Sequence, residues 1–205
     1  MEESRETGKK WIIGITGGVG SGKSRILDIL KNDYNAEVIL ADEVAHRLME
    51  PGALGLKKVV EALGDDFLNE DGTVDRPSLA ELIFHDPGAR ETVNGIIHPM
   101  AWEAICGQAA EADSRLVVIE APVVEEKVHD ICDEMWYVYT SRENRTARLM
   151  ESRGYSREKC RAIMESQWSD AQYRAVCQRE IDNNGTVEEA EEQIHSILKT
   201  MKYIG

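Results

Sequence analysis

Long apolar runs are missing from this chain of 205 residues. No stretch approaches the ~18 consecutive apolar residues that mark a membrane-spanning helix. Met1 to Lys10 is polar, mixed in charge and lacks the apolar centre of a secretory signal. Cations are scarce as well: 24 Lys and Arg stand against 38 Asp and Glu, for a formal net charge of −14. A nucleic-acid surface needs a basic stripe, so this balance argues against nucleic acid as a partner. The four cysteines, Cys106, Cys132, Cys160 and Cys177, are widely spaced and form no C-x-x-C. That argues against a metal ribbon or disulfide framework and for bystander thiols in a reducing compartment. Neither an internal repeat nor a low-complexity segment is present. These absences point to a soluble cytoplasmic protein of one domain, or one domain with an inserted lobe. A hydrophobic content of 42% suffices for its core.

What the chain does have is concentrated near its start. The apolar run Trp11-Ile12-Ile13-Gly14-Ile15-Thr16 leads into Gly17-Gly18-Val19-Gly20-Ser21-Gly22-Lys23-Ser24. This is the G-x-x-x-x-G-K-[ST] spacing of a phosphate-binding loop. Glycines let backbone N–H groups close around a polyphosphate, and the following helix points its positive end at the anion. Lys23 is expected to reach the β- and γ-phosphates, and the Ser24 hydroxyl to bind Mg²⁺.

Further along, apolar strand-like runs alternate with helical patterns, which implies a parallel sheet flanked by helices. The strand candidates are Trp11–Thr16, Glu37–Ala41, Leu116–Glu120, Met135–Thr140 and a short one near Glu180–Asp182. From Pro51 to about Asp113 no strand pattern is seen. That stretch reads as helices broken at Pro51-Gly52, Asp71-Gly72, Pro77, Asp86-Pro87 and His98-Pro99. It is expected to be an inserted lobe covering the carboxyl ends of the strands, where open α/β sheets bind ligands. Residues 142 to 161 form a basic island in an acidic chain. Arg142, Arg145, Arg148, Arg153, Arg157, Lys159 and Arg161 face only Glu143, Glu151 and Glu158. Gly154 reads as a helix C-cap and Ser156 as the next N-cap, so the island is a helical hairpin. It reads either as a lid facing an anion or as a solvated helix pair. Thr186 to Glu189 has capping-box spacing and starts a final helix.

Several carboxylates are placed for chemistry. Asp42 follows the second strand and could accept a proton from an attacking hydroxyl or bind Mg²⁺ through water. It could equally cap the next helix. Glu120 ends the third strand and is a candidate outer ligand of Mg²⁺. Glu125 and Glu126 read either as partners for an arginine of the lobe or as solvent-facing charges. His46, His85, His129 and His195 have no ligand spacing and read as bystanders.

The segment from Gly14 to Ser24 is very similar to the opening of dephospho-coenzyme A kinases, and the resemblance covers almost the whole chain. It continues through Leu40-Ala41-Asp42, Asp71-Gly72-Thr73-Val74-Asp75-Arg76, Asn94-Gly95-Ile96-Ile97-His98-Pro99, Ala121 to Glu126, Arg148-Leu149, Arg153, Gln167 and Ile181-Asp182-Asn183-Asn184-Gly185. The loop alone indicates a P-loop kinase; its combination with the other motifs is specific to this family. The resemblance implies a P-loop NTPase three-layer α/β fold with a parallel sheet, an inserted helical substrate lobe and a helical lid. The implied division is a disordered tail at 1–10, a core of 11–50, 114–141 and 162–205, a lobe at about 51–113 and a lid at about 142–161.

The implied reaction is ATP-dependent phosphorylation of the ribose 3′-hydroxyl of dephospho-CoA, giving CoA and ADP, the last step of coenzyme A synthesis. Lys23, Asp42 and Arg148 would be catalytic. Gly18, Val19, Gly20, Ser21, Gly22, Lys23, Ser24 and Arg25, with Arg148 and Arg153, would hold ATP. Thr16, Asp42, Arg76 and His98 would hold dephospho-CoA, and Ser24 would bind Mg²⁺, with Asp42 a second candidate through water. No nucleic acid or membrane partner is expected, and a monomer or weak homo-oligomer is. The rival readings are another small-molecule P-loop kinase and a non-catalytic ATP-binding switch. The sequence departs from the family pattern at Arg25 (usually Thr), Glu125 (usually Phe), Arg145 (usually Gln), Ile163 and Gln178.

Overall fold

The computed structural model describes residues 9–121 and 128–204. Its elements are β1 (Trp11–Thr16), α1 (Lys23–Tyr34), β2 (Glu37–Leu40), α2 (Ala41–Leu48), α3 (Leu54–Leu63), α4 (Arg76–His85), α5 (Pro87–Glu111), β3 (Leu116–Glu120), α6 (Val128–Ile131), β4 (Glu134–Tyr139), α7 (Arg142–Arg153), α8 (Arg157–Glu165), α9 (Asp170–Val176), β5 (Arg179–Asp182) and α10 (Val187–Thr200). They divide into two compact units. One runs up to Ile39 and resumes at Ala112; the other is Leu40–Glu111.

The first unit is built on a five-stranded sheet in the order β2-β3-β1-β4-β5. β1 runs parallel to both β3 and β4, and β4 runs parallel to β5. Central strands of such a sheet are covered on both faces, so they need continuous apolar sequence. Ile13, Ile15, Leu116, Val117, Val118, Trp136 and Val138 accordingly lie in the core, and Ile181 joins them from the edge strand β5. Register then decides what the sheet presents at its carboxyl edge. Ile15 pairs with Glu120, Thr16 with Tyr137 and Tyr139 with Asp182. The loop after β1, the end of β3, and the residues following β4 and β5 therefore meet on one side.

Caps follow local sequence. Ser156 and Thr186 accept from the N–H groups of Lys159 and Glu189, and Gly154 closes α7 in the left-handed conformation. Lys9 and Lys10, expected within a disordered tail, are held instead. Lys9 pairs with Asp133 at 2.8 Å, and Lys10 donates to the Ala112 carbonyl at 2.6 Å.

The second unit is helical. It begins at Leu40, earlier than the expected lobe, because α2 packs against α5. The expected second strand likewise stops at Leu40, and Ala41 already belongs to α2. Leu56, Val59, Phe67, Val93 and Ile97 form this unit's core. The expected break at His98-Pro99 does not occur: α5 runs through Pro99. Proline removes one helical N–H, the donor that would meet the Gly95 carbonyl. Ala89, Val93, Ile97, Ala101, Ile105 and Ala109 recur every four residues and stay buried along the helix. That continuous packed face outweighs the single lost bond.

Candidate active site

The loop between β1 and α1 is shaped by what its carbonyls do. The Ser21 carbonyl has three neighbours from other parts of the unit. Thr140 Oγ1 lies at 2.8 Å, Asn183 Nδ2 donates at 2.8 Å and Arg148 Nη1 donates at 3.2 Å. The Val19 carbonyl accepts from Arg145 Nε at 2.8 Å, and the Gly17 carbonyl from Lys23 Nζ at 2.8 Å. With these oxygens engaged, the N–H groups of Gly20, Gly22, Lys23 and Ser24 bond to none of the described residues. A run of unmet N–H groups at a helix N-terminus is an anion site.

Glycine is required here for two distinct reasons. Gly22 sits at φ 85°, ψ 30°, a left-handed conformation costly for other residues. Gly18 has ordinary φ, but a Cβ there would lie 2.6 Å from Arg145 Cζ and 2.8 Å from Gln167 Oε1.

The charge around the loop is positive. Lys23, Arg25, Arg145 and Arg148 surround it, and Lys23 Nζ lies 3.4 Å from Glu120 Oε1. Burial, and then the neighbouring Arg25, push the Arg148 guanidinium below its ordinary value. Burial does the same to Arg145. Both shifts record cations held partly out of water next to like charge or neutral groups.

The structure brings Gly18 to Arg25, Lys23, Ser24 and Arg148 to one place with Thr16. Ser24 is exposed in the first turn of α1. Thr16 is fully buried, and neither its hydroxyl nor that of Ser21 has a partner among the described residues. Arg153 does not join the group: it is exposed in the last turn of α7, 6.0 Å from the centre of the Tyr155 ring. Arg142 is also exposed, and the loop contacts from α7 come from Arg145 and Arg148. Residues 125 and 126 lie outside the described residues.

In the helical unit, Asp42 occupies the first turn of α2, but Leu40 holds the N-cap position, which rules out the capping role. The Asp42 carboxylate is exposed and bonds to none of the described residues. Arg76 starts α4 and contacts His46, with Nη1 to Nε2 at 3.3 Å. Both line a cleft of about 420 Å³ with Met49, Thr73, Leu79 and Ile83. His46, which reads as a bystander in the sequence, thus has a side-chain partner. His98 is exposed on α5 and does not line that cleft.

Three supporting residues had weak or no sequence signals. Asn183 and Gln167 belonged to recognisable motifs, but nothing in the sequence tied them to loop atoms. Thr140 carried no signal at all.

Comparison with known proteins shows the family and the fold. The family model for dephospho-CoA kinase matches residues 11–189. A dephospho-CoA kinase of Staphylococcus saprophyticus is 32% identical over 196 residues, which is 94% of this chain and 95% of that protein. Among solved structures, the protein TT1252 of Thermus thermophilus superposes with a TM-score of 0.78 at 27% identity, covering 94% of this chain and 98% of that one. A dephospho-CoA kinase of Campylobacter jejuni superposes with a TM-score of 0.67 at 20% identity, over 93% and 96% of the two chains, and shows the shared fold.

Proposed function

The chain belongs to the dephospho-CoA kinase family, and on that premise we propose how its own residues carry the reaction. It phosphorylates dephospho-CoA with ATP, in the biosynthesis of coenzyme A. The acceptor is the ribose 3′-hydroxyl, and the products are CoA and ADP. It works in the cytoplasm, as a monomer or weak homo-oligomer. No helix among the described residues is long and apolar enough to cross a membrane.

One observation carries the reading of the loop. Its carbonyls at Gly17, Val19 and Ser21 are bonded to side chains, while the N–H groups from Gly20 to Ser24, apart from Ser21, are left for a ligand. Phosphoryl transfer needs little covalent help from a protein; positioning and charge supply most of the rate. The amides hold the β- and γ-phosphates. Lys23 exchanges its contacts with the Gly17 carbonyl and Glu120 for phosphate oxygens. Arg148 places a second cation beside the transferring group, and Arg25 a third. Such arginines contribute ~10³–10⁵ in rate in related systems. Arg153, at the far end of α7, supports ATP only if that end of the hairpin moves, a role it holds here more weakly than Arg148.

The donors fit a hard cation. The Ser24 hydroxyl is exposed and adjoins Lys23 in the chain, the Glu120 carboxylate stands 3.4 Å from Lys23 Nζ, and Mg²⁺ binds few protein oxygens and keeps several waters. When bound, the ion neutralises charge on the β- and γ-phosphate oxygens. Asp42 serves the acceptor, orienting or deprotonating the 3′-hydroxyl; its exposed and unengaged carboxylate supports that role. Thr16, Arg76 and His98 contribute to acceptor binding, and Arg76 draws further support from the cleft it lines with His46.

A coupled ADP-release assay with dephospho-CoA tests the proposal, run beside nucleoside monophosphates and small alcohols. ADP release specific to dephospho-CoA is expected. Faster turnover of another acceptor would favour a different small-molecule kinase, and no ADP release with any acceptor would favour a binding switch.

A further inference from the structure

Arg145 is a buried cation that the reaction as described does not use. It is 5% exposed. Nε donates to the Val19 carbonyl at 2.8 Å, and Nη2 donates to Gln167 Oε1 at 2.7 Å. The same Gln167 oxygen accepts from the Val19 N–H at 3.1 Å. One residue of the phosphate loop is therefore gripped at both its N–H and its C=O by a closed ring of Arg145 and Gln167. The guanidinium occupies the space that a side chain at Gly18 would fill.

Both of Arg145's acceptors are neutral. Among the described residues, no carboxylate comes within ion-pair distance of it. Asp170 is in its neighbourhood, but Oδ1 of that carboxylate accepts from the Tyr137 hydroxyl at 2.8 Å, and Arg142 adds a like charge. A buried charge without a paired counter-ion is expensive to keep. Burial accordingly holds its guanidinium below the ordinary arginine value.

We propose that Arg145 is a positioning residue for the nucleotide: it fixes the Val19 peptide of the phosphate loop, and its missing counter-ion is the polyphosphate of the bound nucleotide. The proposal rests on the reading of this loop as the ATP site. Glutamine could keep a bond to the loop, whereas arginine adds a charge under it. Nucleotide binding then does two things at once, meeting the free amides and neutralising the buried cation. A merely structural arginine would favour the folded chain whether or not nucleotide is present.

Two variants of the full chain separate these possibilities: Arg145→Gln removes the charge, and Gln167→Glu supplies a carboxylate while retaining an acceptor oxygen for Val19 and Arg145. The measurements are ADP affinity by calorimetry, the nucleotide-free Tm, and the KM for ATP against kcat. Arg145→Gln is expected to weaken ADP binding by about tenfold or more, as for loss of a charge-assisted interaction. KM for ATP should rise by more than kcat falls. Gln167→Glu should raise the nucleotide-free Tm and still weaken ADP binding, because the cation has gained a permanent partner. Wild-type ADP affinity in either variant would overturn the proposal. If Arg145→Gln does not fold, Gln167→Glu decides alone. A wild-type chain that bound no ADP would instead overturn the phosphate-loop reading beneath it.

Discussion

Gly22→Ala tests the geometry of the loop through two separable effects. The first is backbone strain. At φ 85°, ψ 30° an L-residue is disfavoured by roughly 1–2 kcal/mol. The second is a collision. The new Cβ would overlap Asn183 Nδ2 and stand 3.1 Å from Arg148 Nη1. Asn183 is fully buried, and its amide donates to the Ser21 carbonyl at 2.8 Å. Displacing it gives up a buried hydrogen bond, a further loss of about 1 kcal/mol. The total is about 2–3 kcal/mol of stability in urea unfolding, together with weaker ADP binding, because relief of the strain and overlap re-aims a loop N–H that has no partner among the described residues. A double-mutant cycle with Asn183→Ala isolates the collision. Removing the amide leaves Thr140 and Arg148 on the Ser21 carbonyl and opens room for the methyl group. The double variant should be about 1 kcal/mol more stable than the sum of the single effects. Strict additivity would refute the steric half of this argument. A loss below about 0.5 kcal/mol in Gly22→Ala alone would refute the strain half.

Lys23→Ala should abolish measurable turnover with the circular dichroism spectrum unchanged, since its partners at Gly17 and Glu120 are few and half-buried; near wild-type kcat would remove the loop from the mechanism. Asp42→Asn should lower kcat by about 10²-fold or more with little change in the KM for ATP, and, because Leu40 holds the N-cap position, with no change in thermal stability. Unaltered kcat would return Asp42 to the surface. Arg148→Ala should depress kcat by ~10³-fold and also destabilise the chain by about 1–3 kcal/mol, because it donates to the Ser21 and Asn183 carbonyls. Hydrogen exchange should show residues 142–149 protected without nucleotide and residues 150–161 slowed by ATP; equal exchange in both states over 150–161 would mean the hairpin is no lid.

Much of the fold was legible because its signals are local. A continuous apolar strand, a glycine loop and a helix start lie within residues 11–24, and each is specified by neighbours in the chain. The caps at Gly154, Ser156 and Thr186 are of the same kind. Where local chemistry competed with packing, the sequence reading failed. Pro99 signals a break, yet a buried face spaced every four residues carries α5 through it. Asp42 has the chemistry of a cap, but the helix starts two positions earlier, directly on the end of β2. His46 lacked any ligand spacing because its partner, Arg76, is 30 residues away.

By itself, then, the sequence determined the phosphate loop, the alternation of strand and helix, and the family to which the chain belongs. Only the tertiary structure decided how the loop is held open. The donors that meet the Ser21 carbonyl include Thr140 and Asn183, which lie 119 and 162 residues further along the chain. They arrive there because β1, β4 and β5 run parallel in fixed register, so that the residue following each strand emerges at the same edge. The grip of Arg145 and Gln167 on Val19 arises in the same way, from α7 and the segment before α9. Spacing along a chain can specify a turn or a cap, but a hydrogen bond between distant residues exists only once strand pairing has brought their ends together.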